Sequence, residues 1–196
     1  MPICANCSGK GKFNMQDKRK YLFDWDSVIG DVVAARKDLG PTTRVEVYRL
    51  FQFTLRDILE QHYGTETCDT LFREAGVMAG TVFFKQFCSH AESVNDLVRI
   101  VQGLFKELGI GILRVEKSDV ERLEFVLTVD EDLDCSGMSD TNDVICIYDE
   151  GFIQGILQGF SGKSFHVREV DCWCTGKRTC RFNARVLPEK EGAPSV

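Results

Sequence analysis

The sequence predicts an α+β domain in which helices pack on a small antiparallel sheet. Apolar residues recur at helical spacing in long stretches between residues 45 and 111, and the period then changes to strand-like alternation between residues 112 and 132. One more helical stretch and a second pair of alternating runs follow. Helices therefore come first and strands later, which is the α+β order and not a regular βαβ alternation.

Four helical stretches precede the sheet, a short one and three long ones: residues 27–37, 45–64, 67–88 and 94–111. Gly40, followed by Pro41, ends the first, and Gly64 ends the second. The third carries a face of small side chains that lets another backbone approach closely, formed by Ala75, Gly76, Ala79 and Gly80.

The second half of the chain reads as two strand pairs around one helix. Residues 112–119 and 121–132 alternate like a hairpin, and an acidic, turn-rich loop follows at 133–143. Residues 144–162 form a short apolar entry and then a helix that ends in glycine. A C-terminal hairpin completes the sheet, with strands at 164–173 and 178–187.

Composition narrows the class of protein. The chain has 196 residues, 43% hydrophobic and 28% charged, which suits one soluble domain. A net charge of −6 disfavours direct binding to nucleic acid, and no apolar run reaches the length of a membrane span. The first residues lack the apolar core of a signal peptide, so we expect a cytoplasmic protein. We expect a flexible arm at 1–20, a domain at 21–187 and a loose tail at 188–196.

Nine cysteines are many for such a protein, and reducing conditions make structural disulfides unfavourable. Cys68 and Cys88 lie among apolar neighbours and are predicted to be core residues. Cys172 and Cys180 flank the turn of the C-terminal hairpin, so the hairpin brings them together. Glu169 precedes Cys172 by three residues, a spacing that needs a bulge before both side chains reach one point.

A carboxylate and two thiolates that converge in this way favour zinc, which binds four such ligands in a tetrahedron. Cys146 and Cys174 are the candidates for the fourth position. The alternative is that all these cysteines are buried core residues without a metal.

Three segments of this region resemble the 4-vinyl reductase domain. They are Cys146-Ile-Tyr-Asp-Glu-Gly-Phe-Ile-Gln-Gly, Val167-Arg-Glu169-Val-Asp-Cys172 and Gly176-Lys-Arg-Thr-Cys180-Arg-Phe, within a similarity that covers about residues 45–187. In phenol-sensing members the corresponding side chains bind zinc, so the resemblance implies Cys146, Glu169, Cys172 and Cys180 as ligands and makes Cys174 a neighbour. Many members carry an acid where this chain has Lys177.

Four protein ligands would close the site, and a closed zinc site is structural. We therefore expect a zinc-stapled hairpin, held against the helix at 151–160. Among the sequence motifs of catalysis, neither G-x-S-x-G nor a P-loop nor H-E-x-x-H occurs, so an enzyme is the less favoured class.

The chain holds fourteen phenylalanines, and several aromatic residues fall on the predicted helices and central strand. Ordinary core packing is one interpretation. Together with the resemblance, they predict an apolar pocket for a small hydrophobic or aromatic molecule, lined by Tyr48, Phe51, Phe83, Phe87 and Phe125. The sequence identifies no polar group that would select phenol.

The resemblance implies a stand-alone sensor or carrier module, a homodimer that passes its signal to a separate signalling protein. The alternative is an accessory protein or reductase acting on a vinyl-bearing tetrapyrrole, although no nicotinamide or flavin motif accompanies it. Cys4 and Cys7, in the motif CANC, form half of a metal site, a redox pair or neither.

Overall fold

The computed structural model describes residues 20–188 and confirms the α+β class. The chain divides into two compact units, one up to Thr42 and one from Thr43 onwards. In the first, the single short helix expected at 27–37 is replaced by two, α1 (Trp25–Ile29) and α2 (Val32–Ala35). They are separate because Asp24 and Asp31 each cap a helix start, where their side chains accept a main-chain N–H.

The second unit contains the long helices and the sheet. Its elements are α3 (Val45–Tyr63), α4 (Thr65–Phe83), α5 (Val94–Glu107), β1 (Ile112–Asp119), β2 (Glu124–Asp130), α6 (Ile147–Ser161), β3 (Phe165–Asp171) and β4 (Cys180–Val186). Gly64 has φ +77° and separates α3 from α4. A π-helical turn, Phe84–Cys88, continues α4. Among the described residues, no helix is both long enough and apolar enough to cross a membrane.

All four strands are antiparallel, in the order β1-β2-β4-β3. The C-terminal hairpin therefore does not stand apart, because β4 pairs with β2 on its other side. Between Glu169 and Asp171 the register of β3 against β4 shifts by one residue. This is the irregularity that the spacing of Glu169 and Cys172 required.

Helix α6 packs on α4 at the small-residue face that the sequence predicted. A Cβ at Gly76 would lie 2.1 Å from the carbonyl oxygen of Tyr148, and one at Gly80 2.1 Å from that of Phe152. The contact is reciprocal, since Gly151 faces the carbonyl of Arg73 and Gly155 that of Val77, at 2.1 and 2.4 Å. The two backbones thus touch, which fixes where α6 begins.

A buried ion pair adds to this contact. Glu150, which is fully buried, accepts from Arg73 of α4 at 2.6 Å and from Arg168 of β3 at 3.2 Å. Its second oxygen accepts the N–H of Glu169 at 2.9 Å. One carboxylate therefore ties α4, α6 and β3 together next to the cysteine-rich region.

Candidate metal centre

Four cysteines converge where α6 begins and the C-terminal hairpin turns. Cys146 directly precedes α6, Cys172 follows β3, and Cys180 opens β4. Cys135 joins them from the loop after β2. All four side chains are fully buried, and their sulfurs lie within 4.8 Å of one another.

The sulfur spacing suits a tetrahedral ion. The Sγ atom of Cys146 lies 3.7 Å from that of Cys180 and 3.9 Å from that of Cys172, and the sulfurs of Cys135 and Cys180 are 3.2 Å apart. A zinc ion bound at about 2.3 Å by four sulfurs places them about 3.8 Å apart. The four cysteines can therefore hold a metal ion with little movement.

Glu169 lies beside this cluster. Its Oε2 accepts the N–H of Cys146 at 3.0 Å, while its Oε1 is buried and has no hydrogen-bond partner among the described residues. Burial, and then the charge of Cys172, raises the pKa of Glu169 to about 9. An orphaned buried oxygen next to four thiols also indicates a missing cation or proton.

The loop that carries Cys135 is held by its own carboxylate. Asp132, almost fully buried, accepts the N–H of Asp134 at 2.9 Å and that of Cys135 at 3.3 Å. Burial, and then the charge of Asp134, raises the pKa of Asp132 to about 7. Asp132 and Asp149 also form a smaller potential metal-binding group with Cys146. The whole region is therefore rich in buried acidic groups.

The thiols influence one another strongly. Hydrogen bonds among them, that from Cys135 first, lower the pKa of Cys172 and raise the pKa of Cys146 well above its usual value. One sulfur thus takes the negative charge while a neighbour keeps its proton. A divalent cation is the natural replacement for those protons, because metal binding requires thiolates.

The structure brings Cys146, Cys172 and Cys180 together and places Glu169 next to them. The sequence reasoning missed Cys135, although it lies only three residues after Asp132, at the end of a predicted strand. Cys174 is buried but lies outside the group of four, and its carbonyl instead accepts the N–H groups of Thr141 and Asn142. Cys4 and Cys7 lie outside the described residues. Cys68 and Cys88 are buried core residues, as predicted.

The five aromatic residues predicted to line a pocket do not share one cavity. Phe125 lines a cavity of about 50 Å³ between α5, α6 and the sheet, in which every lining side chain is apolar. Tyr48 and Phe51 line a different cleft, on α3. Phe83 packs against Phe87 in the core, with ring centroids 5.0 Å apart. The sequence identified apolar surface but not where it opens.

Comparison with known proteins confirms the resemblance. Residues 125–186, which include Cys135, Cys146, Glu169, Cys172 and Cys180, match the 4-vinyl reductase domain. The fold is similar to the phenol-responsive sensory domain of the transcription activator PoxR, crystallised with phenol (TM-score 0.60, 16% identity, 76% of this chain and 77% of that one).

Two further structures share the fold. One is a vinyl-4-reductase family protein from Methanocaldococcus jannaschii (TM-score 0.56, 15% identity, 87% of this chain and 99% of that one). The other is a trafficking protein particle complex subunit 3 from Naegleria fowleri, covalently bound to palmitic acid (TM-score 0.59, 14% identity, 74% and 95%). At these identities the likeness concerns the fold.

Proposed function

We propose that this chain, which carries a 4-vinyl reductase domain at residues 125–186, is a stand-alone sensor or carrier module for a small hydrophobic or aromatic molecule, stapled by zinc. The observation that carries the proposal is the apolar cavity between α5, α6 and the sheet. Ligand sites in proteins are mostly apolar and largely pre-formed, and this one is enclosed by elements from both halves of the fold.

The shape of the cavity indicates how a ligand would enter. Its walls are Val101 and Phe105 of α5, Leu127 of β2, and Ile153 and Ile156 of α6. A volume of about 50 Å³ holds only a small group, so a complete ligand has to widen the space. The similar domain of PoxR was crystallised with phenol and the trafficking subunit with palmitic acid, and both molecules have apolar bodies.

Zinc suits the donor set of the centre. Cys146, Cys172 and Cys180 provide three thiolates, and two residues compete for the fourth position. Glu169 is the one that the family resemblance implies, whereas the sulfur of Cys135 already lies 3.2 Å from that of Cys180. We propose Cys135 as the fourth ligand, with Glu169 as the outer partner that holds the N–H of Cys146.

A site of four thiolates has no open position, so the metal is structural and would tie the loop after β2, the start of α6 and the C-terminal hairpin into one body. X-ray absorption at the zinc edge tests the ligand set. Four sulfurs give a single shell near 2.3 Å, whereas a Glu169 ligand adds an oxygen at about 2.0–2.2 Å.

The homodimer remains a prediction, and α3 offers a surface for it. Val47, Leu50 and Ile58 fall on one side of that helix and are 57%, 68% and 50% exposed. Exposed apolar side chains in such a row are typical of a protein–protein interface. A signal would then pass from the dimer to a separate signalling protein, also a prediction.

Ligand binding is tested by titrating the purified protein with phenol, toluene and a short fatty acid, using calorimetry and native mass spectrometry. Leu157→Trp adds a bulky ring at the rim of the cavity, so it should abolish binding. Leu108→Trp adds the same ring at an exposed position and should bind as the unaltered protein does. Absence of binding across the series, or equal binding by both variants, would refute the proposal.

A further inference from the structure

A second cleft lies between α3 and α4, against the start of α6, with a volume of about 280 Å³. Four aromatic side chains line it, those of Tyr48, Phe51, Phe72 and Tyr148. The remaining lining residues are aliphatic apart from one amide, Gln52. This cleft is separate from the cavity between α5 and α6, and a ligand bound in it would be independent of the function proposed for that cavity.

Gln52 gives the cleft one unsatisfied polar atom. The residue is only 8% exposed, and its Nε2 donates to Oδ2 of Asp134 at 2.7 Å. Because a carboxylate needs a donor, this bond fixes the orientation of the amide and leaves Oε1 as the other end. Within residues 20–188, Oε1 is buried and has no hydrogen-bond partner. Buried polar atoms are normally paired, so an unpaired acceptor in a cleft indicates a ligand with a donor group.

Negative charge lies directly behind this acceptor. Asp134 is 2% exposed and accepts from Tyr48 at 2.8 Å as well as from Gln52. In the part of the chain that the structure describes, no ion pair joins Asp134 to a lysine or arginine, in contrast to the equally buried Glu150 with its two arginines. Arg49, the cation nearest in effect, donates to the carbonyls of Leu133 and Ser136.

The cation at the other end of the cleft is neutralised. Arg56 lies 5.6 Å from the ring centre of Phe72 but pairs with Asp69 at 2.6 Å and Glu60 at 2.7 Å. An acidic ligand would thus find no free cationic partner among the lining residues described above, while a positive group would meet an acceptor, a carboxylate behind it and aromatic faces.

We propose that the cleft between α3 and α4 binds a small amine with an apolar body. Its ammonium group donates to Oε1 of Gln52 between the rings of Tyr48 and Tyr148, and its body lies along the apolar wall of α3 and α4. The carboxylate of Asp134 acts through Gln52 and Tyr48, whose side chains it orients.

The test compares four ligands of one shape, benzylamine, benzyl alcohol, toluene and benzoate, by calorimetry on the full chain at neutral pH. We expect benzylamine to bind at least tenfold more tightly than benzyl alcohol, and benzoate not to bind. Equal affinity for benzylamine and toluene, or no binding of benzylamine at all, would overturn the proposal.

Variants locate the site. Leu71→Trp, at the rim of this cleft, should abolish benzylamine binding, and Gln52→Met, which keeps length but removes the acceptor, should weaken it at least tenfold without changing toluene binding. Leu157→Trp, in the other cavity, should leave it unchanged. Circular dichroism verifies that each variant folds. Loss of benzylamine binding in Leu157→Trp but not in Leu71→Trp would place the amine in the other cavity and refute the inference, whatever the outcome for the proposed function.

Discussion

The N–H of Cys146 donates to Oε2 of Glu169 at 3.0 Å, which joins the start of α6 to the irregular end of β3. Two of the residues that the family resemblance assigned to a metal are thus already bonded to each other through main chain and carboxylate. This bond leaves the other oxygen of Glu169 buried among thiols, without a hydrogen-bond partner in residues 20–188. A metal centre and a group of packed cysteines would respond differently to substitution and to chelation.

Cys135→Ser and Cys174→Ser form a matched pair, because both side chains are fully buried and only Cys135 belongs to the group of four. We expect Cys135→Ser to weaken zinc binding by more than the roughly 10–100-fold that loss of an outer partner costs. Cys174→Ser should stay within a few-fold of the unaltered protein. Competition with a chromophoric chelator measures both affinities. Equal affinities would show that Cys135 is not a ligand.

Removal of the metal should loosen the C-terminal hairpin before the rest of the fold. A strong chelator should lower the thermal midpoint by more than about 4 °C, since one kcal/mol corresponds to roughly 2–4 °C in a chain of this size. Hydrogen exchange should rise in β4 and in the loop around Cys135, while α4 should stay protected by its contact with α6. An unchanged midpoint in a protein that contained zinc would contradict the structural role.

Gly76→Ala should destabilise the protein by roughly 1–3 kcal/mol, the range for an overpacked core. The added Cβ would lie 2.1 Å from a main-chain carbonyl that cannot move without shifting α6. Gly103→Ala is the control, because a Cβ there meets nothing within 4 Å and alanine is favoured in helices by up to about 1 kcal/mol. Urea unfolding measures both changes. A neutral Gly76→Ala would mean that α4 and α6 lie further apart.

Leu50→Glu tests the predicted dimer. Leu50 is 68% exposed on the outer side of α3, and a twofold interface there would contain the new charge twice. We expect the dissociation constant to rise at least about tenfold, as like charges brought together cost several kcal/mol. Analytical ultracentrifugation gives the masses, with Leu108→Glu as an exposed control away from α3. A monomer in the unaltered protein would remove the prediction.

Local patterns predicted the fold well because they are local. Helical spacing and alternation indicated α3 to α6 and all four strands, and the small residues of α4 marked where α6 packs. In the candidate site, Cys172 and Cys180 were accessible because a hairpin brings its two ends together. Cys135 was not, since no periodicity fixes the course of an irregular loop, and its contact with Cys180 spans 45 residues.

The pocket was the hardest feature to predict for a related reason. Phe83 and Phe125 both follow apolar patterns, yet one packs in the core and the other lines a cavity. Which apolar side chains leave space between them depends on how the helices pack, and the sequence pattern does not contain that distance.

The contact of the glycines of α4 with α6 has a consequence for motion. Backbones that already touch cannot move closer, and Glu150 joins both helices to β3, so α6 and the sheet act as a fixed base. Whatever enters the apolar cavity must therefore displace α5. That helix is bounded by the capping residue Ser93 and by Gly109 at φ +68°, two points about which it can turn. The moving part of this domain is then α5, and the output of a sensor should be read from its displacement.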